Sequence, residues 1–335
     1  MGKIRLTMAC WNYDRTRGLL EDRIPIEGVE VTYLNLPVEE TFFRMVRHHE
    51  FDVSELSLSS YTLSLFQENP PFIAIPVFPS RYFRHSCIYV HADSGIKEPK
   101  DLIGKRVGSP EYQMTAPVWI RGILSDDYRV PVTSPTYFTG GEEQPGRSEK
   151  IALSLPAEFR LQSIQPDQTL SRMIESGEID ALYTARAPST FQRGDSKTGG
   201  GKVRRLFPDY YAVEREYFQR TGIFPIMHVI AIKRDVYEKH PWVAQSLFKA
   251  FVAAQNEAYR DLHETAALKL MLPWVERHVE ETESLMGPDF WPYGLDPNVH
   301  VLNTFLRYSH EQGLSPRRLT AREIFAPETF ESFKI

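Results

Sequence analysis

The chain has 335 residues, 42% hydrophobic and 25% charged, the make-up of a soluble globular protein long enough to form two hydrophobic cores. A net charge of -5 and a pI near 6.1 provide no basic face for nucleic-acid phosphates. Two cysteines, Cys10 and Cys87, exclude a disulfide framework and a four-cysteine zinc site, and leave a single bridge open.

In chain order, polar residues alternate with Ile4, Leu6 and Met8, which reads as a strand and not as an apolar signal core. No later apolar run is long enough to cross a bilayer, so a cytoplasmic location without membrane contact is expected. The first strand leads through Arg15 and Arg17 into a short helix, and residues 29–34 form a second strand. The helix at 38–48 places Glu39 and Glu40 in its first turn and Arg44 and Arg47 in its last, complementing its dipole. A third strand at 51–56 delivers Ser59, Ser60 and Tyr61 to the start of another helix, where amides and hydroxyls can converge on an anion.

Residues 72–90 are mostly extended and without a helix, long enough to leave one lobe and enter another. Residues 101–121 then read as a short strand, a loop and a helix, with Thr115 as a cap and Pro117 in the first turn. Free amides around Tyr112, Gln113 and Thr115 suit a carboxylate or phosphate, although an ordinary capped helix has the same sequence. A strand at 136–139, a glycine turn with Glu142, and a helix-strand unit at 170–184 follow, then a polar glycine-rich loop at 194–201. A second extended run at 224–232 returns the chain, and helical stripes follow at Val243, Leu247, Phe251 and Ala254 and at Leu302, Phe305 and Leu306.

Strands alternating with helices of about ten residues predict α/β architecture with doubly wound sheets, which bind ligands beyond the carboxyl ends of their strands. The expected layout is discontinuous. Lobe one holds 1–85 and 225–335, including the C-terminal helices, and lobe two holds 86–224. Two crossing strands join them, with the ligand cleft between. This is the layout of the type II periplasmic-binding-protein fold.

Six stretches carry a more specific resemblance: Ala-Cys-Trp-Asn-Tyr-Asp-Arg-Thr (9–16), Leu-Pro-Val-Glu-Glu-Thr-Phe-Phe-Arg-Met (36–45), Phe-Pro-Ser-Arg-Tyr-Phe-Arg-His-Ser (78–86), Gly-Ser-Pro-Glu-Tyr-Gln-Met-Thr-Ala-Pro-Val-Trp (108–119), Tyr-Thr-Ala-Arg-Ala-Pro (183–188) and Trp-Pro-Tyr-Gly (291–294). Along its whole length the chain resembles the 4,5-dihydroxyphthalate decarboxylase family. The resemblance implies non-oxidative decarboxylation of a dihydroxylated benzene dicarboxylate to a dihydroxybenzoate such as protocatechuate. It implies a small aromatic dicarboxylate as the partner, with no added cofactor and no metal; a homo-oligomer is compatible with it.

That chemistry makes definite demands. An aryl carboxylate leaves as carbon dioxide once the ring carbon bearing it is protonated, and a para hydroxyl stabilises the cationic ring. The enzyme needs a general acid, a cationic clamp for the remaining carboxylate and partners for the hydroxyls. His85 and His228, one on each crossing run, are the expected proton donors, His85 first because Arg81 and Arg84 lie beside it; for either ring a hydrogen-bonded structural role is the competing reading. Arg81, Arg84 and Arg186 are the expected clamp, each with an ordinary ion pair as its alternative. Arg15 and Glu142 are weaker candidates, the latter as acceptor for a ring hydroxyl. A non-catalytic binding protein for an aromatic carboxylate, or another lyase of aromatic acid or quinone metabolism, fits the same frame.

Overall fold

The computed structural model describes residues 2–191 and 201–330. The glycine-rich loop expected at 194–201 lies outside the described residues except for Gly201. Strands among the described residues are β1 (Ile4–Ala9), β2 (Val29–Leu34), β3 (Val53–Ser57), β4 (Phe72–Ile75), β5 (Ile88–His91), β6 (Arg106–Ser109), β7 (Thr136–Thr139), β8 (Arg160–Ser163), β9 (Ala181–Tyr183), β10 (Val203–Arg205) and β11 (His228–Lys233). The chain divides into two compact units, one of Met1–Arg81, Thr221–Asn303 and Leu319–Ile335, the other of Tyr82–Arg220 and Thr304–Arg318.

The first unit is built on a sheet of order β2-β1-β3-β11-β4. β2, β1 and β3 are parallel, and β11 runs antiparallel to both β3 and β4. β3 is buried along its whole length, as a central strand covered on both faces must be. The expected apolar stripe of Val243, Leu247, Phe251 and Ala254 lies buried on the helix Trp242–Leu262.

The second unit has a six-stranded sheet of order β10-β5-β9-β6-β7-β8. β9, β6, β7 and β8 are parallel, and β5 pairs antiparallel with both β9 and β10, so the sheet is mixed. Tyr89, Leu170, Met173, Ile174, Ile179 and Leu182 form the centre of its core. β8 was not expected, because it is an edge strand with mostly exposed side chains and so lacks apolar alternation.

The unit boundaries differ from the expected ones. Residues 82–85, assigned to lobe one from the sequence, belong to the second unit, and so does Thr304–Arg318. Packing explains the second difference. Trp119 meets Phe305 and Tyr308 with ring centroids 5.5 and 5.6 Å apart, and Gln312 accepts from Arg121 Nε at 2.7 Å and donates to the Val118 carbonyl at 2.8 Å. Gly122 makes room for this contact, since a Cβ there would lie 2.1 Å from Tyr308 Cδ2. Cys10 and Cys87 are both free, which closes the question of a bridge.

Candidate active site

In the first unit, β1 runs parallel to β3 and ends at Ala9 opposite Ser54, so Cys10, Trp11 and Tyr13 emerge beside Glu55. Glu55 stands opposite Ile230 of β11, and His228 lies two residues along, which puts both side chains on the same face of the sheet. His228 Nδ1 is 2.6 Å from Glu55 Oε1. The Tyr13 hydroxyl donates to the same oxygen at 2.7 Å. Oε2 accepts the Trp11 amide at 3.0 Å and the Cys10 thiol at 3.6 Å. Phe42 presses on the imidazole edge-on, with centroids 4.8 Å apart.

A buried carboxylate survives only if its charge is paired and its lone pairs are filled. Glu55 is wholly buried. Burial pushes its carboxyl up, but the hydrogen bond and charge of His228, with the donors Tyr13 and Trp11, outweigh it and hold the group below the usual carboxylate range. Glu55 is therefore an acceptor only, and the proton of the contact belongs to Nδ1. Burial first, and then the Glu55 charge, raise the Tyr13 phenol and the Cys10 thiol, so both remain protonated donors. With Nδ1 engaged by Glu55, Nε2 is the nitrogen not committed to it, and the His228 side chain stays 16% exposed.

Arg15 borders this network. Its guanidinium lies between the rings of Tyr13 and Trp291, 4.3 and 4.2 Å from their centroids, donates from Nε to the Pro79 carbonyl at 2.7 Å and pairs with Asp14 at 2.9 Å. Arg81 has a different setting from the one expected. It is 4% exposed, and its donors go to the Phe224 carbonyl at 3.1 Å, the Pro292 carbonyl at 2.8 Å and Asn298 Oδ1. Burial lowers its guanidinium to about 9, against the smaller opposing effects of Tyr293, Asp289 and Tyr259. These contacts pin the 292–298 segment and leave Arg81 little reach toward a ligand. Ser59, Ser60 and Tyr61 are buried on the helix Leu58–Ser64; the Tyr61 hydroxyl donates to the Ile324 carbonyl and accepts the Ala74 amide at 3.0 Å, a packing role.

In the second unit, His85 lacks the setting of a proton donor. It is 1% exposed, boxed by Tyr128, Phe207 and Tyr217 at 6.2, 5.3 and 5.1 Å between centroids, and neither ring nitrogen has a hydrogen-bond partner among the described residues. Burial, with the Arg220 charge, lowers the imidazole to about 4, so at neutral pH the ring is neutral and lacks the imidazolium proton a general acid gives. Arg84 is buried beside it, with Nη1 3.5 Å from Cys87 Sγ and its guanidinium over Tyr82.

The turn at 112–115 does form an anion site, and the chain itself fills it. Glu149 accepts the amides of Tyr112 at 2.6 Å and Gln113 at 3.3 Å and the Gln113 side chain at 2.9 Å. Glu111 beside it is wholly buried and pairs with Arg147 at 2.6 Å and with Lys150. Thr115 is the first residue of the helix Thr115–Tyr128, and Met114, not Thr115, takes the cap position. The Tyr112 hydroxyl is spent on the Gln312 carbonyl at 3.1 Å.

Glu142 and Arg186 sit beyond the carboxyl ends of β7 and β9. The turn that places Glu142 requires glycine at 141, where a Cβ would lie 1.6 Å from the Gln144 carbonyl oxygen. Thr184 donates to Glu142 Oε2, while Oε1 is buried without a partner among the described residues. Burial raises this carboxyl to about 7, against the opposing effects of Thr184, Arg147 and Arg186. Arg186 is exposed. Among the described residues no three His, Cys, Asp or Glu side chains gather as a metal ion would require, and no helix is long and apolar enough to cross a membrane.

Glu55 and Tyr13 were missed as site residues in the sequence. One signal was present: a lone acidic residue inside a strand that must be central is paired or functional, because solvent cannot reach it.

No family model matches the chain. It is 43% identical over 335 residues to the 4,5-dihydroxyphthalate decarboxylase of Comamonas testosteroni, covering 100% of both chains. It is 46% identical over 197 residues to that of Pseudomonas putida, covering 59% of this chain and 76% of the relative. Among solved structures, the periplasmic aliphatic sulphonate binding protein of Escherichia coli aligns with a TM-score of 0.50 at 14% identity over 98% of this chain and 99% of its own, a likeness of fold alone. With the strand orders above, it identifies the type II periplasmic-binding-protein-like fold.

Proposed function

Because the chain belongs to the 4,5-dihydroxyphthalate decarboxylase family, we propose that it converts 4,5-dihydroxyphthalate to protocatechuate and carbon dioxide by protonating the ring, with His228 as the proton donor. The observation that carries the reading is the 43% identity across the whole of both chains. The setting of His228 supports its role: Nδ1 is held by a buried carboxylate, Nε2 is not committed to it, and the side chain is 16% exposed.

In this mechanism the imidazolium gives its Nε2 proton to the carbon bearing the departing carboxylate. The para hydroxyl donates electron density and takes on ketone-like character. The electrons of the breaking carbon–carbon bond return to the ring, carbon dioxide leaves, and the now neutral imidazole recovers a proton from solvent. Arg15, with its guanidinium between two aromatic faces at the border of this network, is the proposed partner for the carboxylate that stays.

One observation favours a second donor. The Glu142 carboxyl, raised to about 7 with one oxygen unpartnered, is tuned as acids and bases working near neutrality are. Incubation with 4,5-dihydroxyphthalate, following carbon dioxide and the aromatic product, tests the activity. Tight binding without product would identify a binding protein instead. A His228→Gln variant is expected to keep substrate affinity and lose turnover on the order of a hundredfold or more. Near-normal turnover there, with a loss of that size in Glu142→Gln, would move the donor to Glu142.

A further inference from the structure

We propose that Glu55 is the positioning residue of the reaction: it holds the His228 imidazole with its proton on Nδ1 and so commits Nε2 to the substrate. The inference rests on the reading of His228 as donor.

Three features of the network favour this over a purely structural carboxylate. First, the carboxylate lies in the middle of a central strand, where an apolar side chain would pack without any desolvation penalty. Second, its two oxygens are divided. Oε2 is anchored by the Trp11 amide and the Cys10 thiol, both delivered by the loop after β1, while Oε1 takes His228 and Tyr13. The side chain is thus fixed by one oxygen and acts through the other. Third, the partners are fixed in kind. Tyr13 and the Trp11 amide only donate here, so the carboxylate stays an acceptor and the proton of its contact with His228 stays on Nδ1, and the edge of Phe42 restrains the ring plane. An imidazole gripped at Nδ1 by a carboxylate is held in one orientation with that nitrogen already protonated, so a proton taken up at Nε2 makes an imidazolium donor aimed one way.

Glu55 touches neither substrate nor reacting atoms, so its contribution should appear in turnover and not in binding. Replacing it with Gln offers His228 an amide, whose carbonyl and NH2 support either tautomer with similar ease. The test is nitrogen NMR of the 15N-histidine-labelled protein, with the His228 signals assigned by their loss in His228→Gln, alongside steady-state kinetics of Glu55→Gln. The wild-type spectrum is expected to show the neutral His228 ring with hydrogen on Nδ1. The variant is expected to show mixed tautomers, with kcat lowered at least about tenfold and KM within about twofold of wild type. The wild-type spectrum needs no variant of Glu55 and still decides the matter if Glu55→Gln fails to fold. A neutral ring protonated at Nε2 in the wild type would overturn the positioning role. So would an unchanged kcat in Glu55→Gln when His228→Gln is inactive. Full turnover in His228→Gln would instead overturn the donor reading beneath it, so the two failures are distinguishable.

Discussion

Glu149 closes over the amide of Tyr112 at 2.6 Å, filling with the chain's own carboxylate the turn that the sequence offered to a ligand. The contact ties residues 37 apart, and Glu149 also takes both the amide and the side chain of Gln113. Replacing Glu149 with Ala leaves these donors without their acceptor and should destabilise the protein by about 1–3 kcal/mol. Burial and the neighbouring Glu111 raise the Glu149 carboxyl, so Glu149→Gln, which keeps an acceptor and removes the charge, should cost less. Denaturant unfolding of the two variants checks the order.

Gly122→Ala tests the seating of Thr304–Arg318 on the second unit. In an open helix interior the change would stabilise by up to about 1 kcal/mol. Here the new Cβ would meet the Tyr308 ring at 2.1 Å, so a net loss of about 1–3 kcal/mol is expected in thermal or denaturant unfolding. Stabilisation would mean that Tyr308 moves aside freely.

His85 should make the fold acid-sensitive over a defined range. In the folded protein the ring stays neutral down to about pH 4, whereas the unfolded chain takes up the proton near pH 6.5. Between those values the unfolded state binds more protons, so stability is fully present above about 6.5 and falls as the pH drops toward 4. The gap corresponds to about 3 kcal/mol. Denaturant titrations between pH 7 and 4 should show that slope in the wild type and a shallower one in His85→Leu.

Arg81→Ala should act on folding before it acts on substrate. The change leaves the Phe224 and Pro292 carbonyls and Asn298 Oδ1 without their donor and removes a buried side chain that packs on Phe78. A loss of about 3 kcal/mol or more in unfolding free energy is expected, given several hydrogen bonds to a charged group. Unchanged stability with a raised KM would restore Arg81 to the substrate clamp.

Much of the architecture was legible in the chain because it is written in local periodicity. The strand at 29–34, the helix at 38–48 and the strand at 136–139 lie where the alternation and turn residues put them. The expectation for His228 came from its place on the second extended run and that for Arg15 from its place after the first strand; a substrate contact by either is a proposal. What no local pattern could show is which polar groups spend their capacity inside the protein. Arg81 and His85 share one motif and look alike in sequence, yet one is consumed by carbonyls and the other is sealed among aromatic rings. Glu149 fills a turn 37 residues upstream, and Glu55 meets a histidine 173 residues away across neighbouring strands. A residue's identity fixes how many hydrogen bonds and what charge it brings. Only the tertiary structure, by setting its neighbours and its access to water, decides whether any of that is left for a substrate.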